Sequence, residues 1–227
     1  MMESPLVENV LFHIGPVPIA ASVVVTWGIM AALVAVALLF TLVRGLAAGW
    51  GGALVTYTVE ELSDQIGAVM RISDARPFLP LLGTLFLFIL VANLSSLVPG
   101  IEAPTGRLET TAALAGIVFF AVHWYGVRRL GLLGYLKSFT RPVLIMAPLN
   151  VLSQITRTLS LAVRLFGNVM SGAFIGAIVI ALAGLFVPIP FMALEILVGV
   201  IQAYIFTVLA AVFIGAAIGT TESDQET

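Results

Sequence analysis

Arg157, Arg164, Glu195 and Gln202 are the residues whose types and surroundings call for chemistry, because each stands in a stretch otherwise built of Leu, Val, Ile, Phe and Ala. An arginine at bilayer depth costs about 2.5 to 3.5 kcal/mol on insertion scales, so such a residue needs a reason. Asn150, Arg157, Arg164 and Ser171 recur every seven residues, a drift of only about 20° per step on a helix, and so form one face. Gln154 and Asn168 broaden that stripe. Glu195 and Gln202 are again seven apart, with Gly199 between them to permit close helix approach. Glu195 is the only acidic residue between Glu109 and the C-terminal tail. Simpler readings than chemistry are Arg164 and Arg157 snorkelling to the inner interface, and Glu195 as a carboxylate at the outer one.

Two elements must position these groups. Between Arg141 and Pro188 lie 46 residues, about 69 Å of helix against about 30 Å of hydrocarbon. A loop carrying Arg157 and Arg164 would leave only 15 residues after Arg141 for a span, so one long, steeply tilted helix is the better reading. With a turn centred near Gly184, antiparallel pairing puts Arg164 opposite Gln202 or Ala203 and Glu195 opposite Ala173. Two polar stripes then face each other.

The remainder of the chain is membrane-like throughout. Of 227 residues 60% are apolar and 10% charged, and mean hydropathy is +1.14, which excludes a water-soluble domain. A net charge of −2 with no basic patch sets nucleic acid aside. There is no cysteine, and His13 and His123 stand alone, so neither disulfides nor a metal site is expected. Nor does a GxxxxGK[ST] loop occur, so no nucleotide site is expected, and no cofactor is called for. Charge-free runs of 35 residues (Glu8 to Arg44), 25 (Arg76 to Glu102) and 18 (Glu109 to Arg128) predict three spans ahead of the long hairpin. The first run is too long for a signal peptide and is preceded by Glu3 and Glu8, so it reads as a retained span.

Basic residues set the orientation. Arg44, Arg71 and Arg76 fall in one loop and Arg128, Arg129, Lys137 and Arg141 in another, against a lone Arg107 between them. The N-terminus and Ile101 to Glu109 are therefore expected outside, and the acidic tail Thr221 to Thr227 inside. Leu54 to Ile72, with Glu60, Glu61, Asp64 and Arg71 interrupting a helical apolar pattern, reads as a helix lying along the inner interface. Gly131 to Phe139 reads as a shorter case of the same kind. GPVPI (Gly15 to Ile19) and FVPIP (Phe186 to Pro190) are too short to be an internal repeat.

The fold class expected is thus an all-α polytopic membrane protein with about five membrane-embedded helices plus one interfacial amphipathic helix, the last two helices long, tilted and packed as a hairpin. One integral membrane domain is expected over 1–227: first span and interfacial helix in 1–75, second and third spans in 76–141, the ion-translocating hairpin in 142–219, and the tail in 220–227.

SLAVRLFGNVMSG (Ser160 to Gly172), followed by IQAYIFTVLAAVF (Ile201 to Phe213) and preceded by ANLSSLVPG (Ala92 to Gly100), closely resembles subunit a of F-type ATP synthases. The resemblance covers about Arg76 to Ile218, and the short N-terminus is similar to that of the N-type ATPase subgroup. It implies a stator subunit in a bacterial inner membrane with two offset half-channels, passing protons or sodium ions to the carboxylates of a c-subunit ring. Its partners would be that ring, b-type peripheral stalk subunits, the F1 sector through the complex, and membrane lipid. Nucleotide chemistry would reside elsewhere in the complex. Arg164 matches the family's essential arginine; its guanidinium stays charged at working pH, attracts an ionised rotor carboxylate and blocks a direct leak. Gln202 matches the glutamine expected near it, while Ser160, Asn168 and Asn93 match polar positions lining the path. Arg157 matches a basic position, and with Gln154, Asn150 and Ser171 it forms a secondary set. The chain departs from the pattern at Ala173, where an acidic residue is frequent, at Glu195, often histidine, and at Ser96, sometimes acidic. One carboxylate is then expected to serve from the opposite helix. The competing class is a secondary transporter or small channel with an intramembrane Arg/Glu pathway, in which inverted repeats are common.

Overall fold

The computed structural model describes residues 10–14, 17–42, 50–98, 101, 103–139, 147–183 and 188–219. It opens with a small antiparallel hairpin, β1 (Val10–Ile14) on β2 (Val17–Ala20), with His13 opposite Pro18 and Ile14 opposite Val17. The sequence reading treated this stretch as the start of a continuous uncharged run. Prolines at 16 and 18 explain the difference, since each lacks a backbone donor and resists helix, while a two-stranded ribbon tolerates Pro18 on its open edge. The first helix, α1 (Ala21–Leu42), begins just past Pro18. Its 22 residues give about 33 Å, enough to cross, and Trp27, Val34, Leu38 and Leu39 are exposed as lipid-facing side chains would be.

Helix α2 (Trp50–Met70) is the interfacial element, and it is not among the five helices long and apolar enough to cross a membrane. Glu60, Glu61 and Asp64 are exposed, whereas Ile66 and Met70 enter the core. It closes with Ile72 N–H on Gly67 C=O at 3.0 Å and Arg71 N–H on Ala68 C=O at 3.4 Å. This is a left-handed C-terminal cap in which Arg71, at φ 54°, occupies the place glycine usually takes. A side chain in that conformation costs about 1 kcal/mol.

Helix α3 (Leu79–Leu94), with Pro80 in its first turn, buries Leu82, Leu85, Ile89, Ala92 and Asn93 on one face. Short 3-10 turns at Ser95–Leu97 and Pro104–Gly106 carry the chain into α4 (Leu108–Phe139). Helix α4 is broken at Gly131, whose φ of 72° and ψ of 163° only glycine adopts readily. Gly131 thus separates a short helical segment, ending at Phe139, from the span before it, in keeping with the separate short helix expected over Gly131 to Phe139. The segment's Tyr135 ring lies on the bare backbone of Gly126, and His123 stacks 6.4 Å from Phe139. The His123 Nδ1 pairs with the Phe119 carbonyl at 2.7 Å.

The last two helices are α5 (Ala147–Ala183) and α6 (Pro188–Ala217). Arg157 and Arg164 lie inside one uninterrupted helix, so the alternative with a loop between two spans fails. Thirty-seven residues give about 56 Å, well beyond the hydrocarbon thickness, so α5 must cross at a steep tilt or project past the interface. Helix α6 is central, packed on α2, α3, α4 and α5. Its Ala203, Ala210, Ala211 and Gly215 let neighbouring backbones come close, while Phe206 and Ile214 fill the remaining volume. A Cβ on Gly215 would touch Met70 at 3.4 Å, which fixes the interfacial helix against the end of α6.

Candidate functional site

The α5/α6 pair keeps one antiparallel register. The Arg157 guanidinium lies 5.7 Å from the Phe213 ring centre, and Asn168 Nδ2 donates to Gln202 Oε1 at 2.7 Å. Eleven residues separate these contacts on both helices, so the strands of the hairpin advance in step. Farther along, Glu195 Oε1 faces Gly172 and Gly176: a Cβ on either would stand 3.0 Å and 3.7 Å from it. These pairs converge on the turn expected at Gly184, which lies outside the described residues.

Two details of the expected pairing change. Gln202 is bonded to Asn168, one turn from Arg164, and Glu195 sits over Gly172 and Gly176 while Ala173 is exposed. The register was right to within a turn, but adjacent helical positions differ by 100°, and glycines leave the only room for a carboxylate against the α5 backbone. The polar stripes do not face each other along their whole length either. Arg157, Ser160, Arg164, Asn168 and Ser171 are exposed, and the buried side of α5 is Leu161, Ala162 and Leu165. The two helices meet at the seam where Asn168 bonds Gln202 and Arg157 lies over Phe213, and Arg164 is exposed.

Gln202 is only 3% exposed, and its Nε2 is buried without a hydrogen-bond partner while Oε1 is satisfied. An unmet amide donor at that depth is costly unless something else occupies it. Arg164 has no ion-pair partner among the described residues. About 12 Å of helix separates its level from Gly172, so Glu195 and Arg164 occupy successive levels and do not form a pair.

Asn93 reaches the same helix from the other side. It is 5% exposed; its Nδ2 donates to the Gly199 carbonyl at 3.0 Å and its Oδ1 accepts from Thr105 Oγ1 at 2.8 Å. Gly199 does permit a close approach, but to α3: a Cβ there would lie 3.2 Å from that of Asn93. Gly199 is one turn from both Glu195 and Gln202, so Asn93 grips α6 between them. Thr105, fully buried, was missed by sequence reading because nothing in its loop spacing marks it. The secondary set divides. Ser171 donates to the Asn168 carbonyl at 3.0 Å and remains on the stripe, and Gln154 is half-buried one turn before Thr158, which bonds its carbonyl. Asn150 instead donates to the Phe139 carbonyl at 2.8 Å, tying the start of α5 to the end of α4.

Five membrane-length helices, with a carboxylate, two amides and an arginine at successive levels of one hairpin, are the frame of an ion-translocating membrane subunit. Residues 23–215 match the family described as ATP synthase A chain. The chain is 62% identical over 220 residues to ATP synthase subunit a 2 of Bradyrhizobium, covering 97% of this chain and 98% of that one. It is 45% identical to ATP synthase subunit a of Albidiferax ferrireducens (92% and 91% covered) and 46% identical to ATP synthase subunit a 2 of Picosynechococcus (96% and 94%). The chain belongs to the ATP synthase A chain family and is the stator, ion-translocating subunit a of an F-type ATP synthase membrane sector.

Proposed function

We propose that the outward face of α5 runs against the c-subunit ring, with Arg164 meeting each rotor carboxylate as it passes. The observation that carries this is that Arg157, Ser160, Arg164 and Asn168 are exposed, among equally exposed Leu152, Leu159 and Val163, on a helix of membrane length. Hydrocarbon is a poor solvent for a guanidinium, so this face is built for a surface that supplies anions. A permanent cation there draws an ionised carboxylate forward, favours loss of its proton, and stops ions from crossing directly between half-channels.

Glu195, over the glycine gap of α5, takes the ion from the outer side in this reading, and Asn168 with Gln202 passes it toward the level of Arg164. Asn93 and Ser160 line the flanks, and the buried Gln202 Nε2, unmet among the described residues, holds a water in the seam. Arg157, held on Phe213, belongs to the inner half of the path. The ion is a proton or sodium. The chain forms one membrane domain with its N-terminus outside and its C-terminus in the cytoplasm, b-type stalk subunits hold it, and nucleotide turnover stays in the F1 sector. Arg164→Ala is expected to leave the complex assembled and to abolish ion-driven ATP synthesis in reconstituted vesicles. Coupled synthesis at the parent rate would refute the assignment.

A further inference from the structure

Away from the α5/α6 seam, a cleft of about 850 Å³ opens where α2 ends, α3 begins and α4 and α6 finish. Three span ends meet there on one side of the molecule: the start of α3, the far end of α4 and the last turn of α6. The same side holds Arg71, Arg76, Arg128 and Arg129, so the cleft lies at the basic membrane surface.

Its charges are unbalanced. Arg71, Arg128 and Arg129 line it against a single carboxylate, Asp74, and that carboxylate already accepts from the Arg76 backbone N–H at 3.1 Å. None of the three guanidinium groups has an ion-pair partner among the described residues. The walls are fastened. Tyr125 donates its hydroxyl to the Pro77 carbonyl at 3.3 Å, its ring lies 4.8 Å from Phe78, and Met70 is pressed on Gly215. Arg71 is held facing this space by a left-handed backbone that glycine would adopt with less strain.

One stripe of α4 leads into the cleft. Ile117, Phe120 and Trp124, spaced three and four residues apart, are all exposed, Trp124 at 67%, and the next turn of the same face is Arg128. Apolar contacts along a membrane helix, then an indole, then a cluster of cations, reproduce the order of chains, glycerol region and phosphate in a lipid leaflet.

We infer that this cleft binds an anionic phospholipid, its phosphate between Arg71, Arg128 and Arg129 and an acyl chain along Ile117, Phe120 and Trp124. This site is independent of the ion path. The bound lipid would tie the 71–78 loop to the ends of α4 and α6.

The test is native mass spectrometry of the intact complex from nanodiscs containing phosphatidylglycerol or phosphatidylcholine alone. The parent complex should retain phosphatidylglycerol in preference. The Arg128→Gln/Arg129→Gln pair should weaken retention roughly thirtyfold, while Arg128→Lys/Arg129→Lys keeps most of it. Assembly with the other subunits, read in the same spectra, reports that each variant folds. Equal retention of both lipids, or undiminished retention in the glutamine variant, overturns the inference. So does saturable uptake of inorganic phosphate by the delipidated complex with no preference for the phospholipid, which would make this a free-anion site. A chain ending at Gly219 that alone gains lipid would show the acidic tail filling the cleft, and a stalk subunit shielding Trp124 in the lipid-free complex would show a protein there. Either result also overturns it.

Discussion

Gly172→Ala isolates the glycine gap beneath Glu195. The added Cβ would stand 3.0 Å from Glu195 Oε1, where an ordinary contact is at least 3.4 Å, so the carboxylate must retreat by about 0.4 Å. At the end of a flexible Glu that retreat is a rotation of about 10°, well short of the ~30° off-rotamer displacement that costs about 0.5 to 1.5 kcal/mol, so about 0.5 kcal/mol is the ceiling. If the ion passes through that carboxylate, ion-driven synthesis should fall by up to about twofold. The helix itself should not suffer, since alanine is favoured over glycine in a helix interior by about 0.5 to 1 kcal/mol. Gly28 supplies the control: it lies on α1, away from the proposed rotor face, and a Cβ there meets nothing within 4 Å, so Gly28→Ala should run at the parent rate. The assay is ATP synthesis by reconstituted vesicles under an imposed ion gradient, normalised to assembled complex on native gels. An equal loss in Gly28→Ala would remove Glu195 from the path as drawn.

Glu195→Gln keeps size and hydrogen bonding without titration and should slow coupled transport severely in an assembled complex. Gly172→Glu in that background should recover more of the rate than Ala173→Glu, because the pocket lies on the glycine side; the opposite order in a gradient-driven pumping assay would contradict the hairpin geometry. Thr105→Val leaves the buried Asn93 Oδ1 unmatched and should destabilise the complex by about 1 to 3 kcal/mol in thermal unfolding, with much of that loss absent in an Asn93→Leu background. In this cysteine-free chain, a single cysteine at position 164 should react with small impermeant thiol reagents when the subunit stands alone and be shielded once the ring is assembled; equal reactivity in both states would speak against rotor contact.

Hydropathy was enough to read five membrane-length helices, and charged positions in α2 set it apart from them, because a bilayer imposes length and apolarity directly on the sequence. Arithmetic on the Arg141 to Pro188 stretch exposed the long helix. Other features depend on what distance along the chain does not encode. The β1/β2 ribbon turns on two prolines that hydropathy ignores, and the direction in which the last segment of α4 leaves its span on the single backbone angle at Gly131. Which neighbour lies under Glu195 depends on helix rotation, so counting gave Ala173 where Gly172 and Gly176 make room. Thr105 acts through one hydroxyl in a loop without periodicity. The exposure of Arg164 was hardest to see, because which side of a helix its neighbours cover is not encoded in spacing along the chain.

Helix α5 is tied to its neighbours at three heights: Asn150 to the end of α4, Arg157 to Phe213, and Asn168 to Gln202. If a rotor turns against that helix, as proposed, it drags sideways on it, and apolar side chains slide past one another with little directional resistance. The three ties are directional, so they would spread the shear over about half of the 37-residue helix and pass it to α4 and α6. In mechanical terms this is a guide rail pinned along that stretch, and stiffness there would determine how much torque is lost to bending before any ion moves.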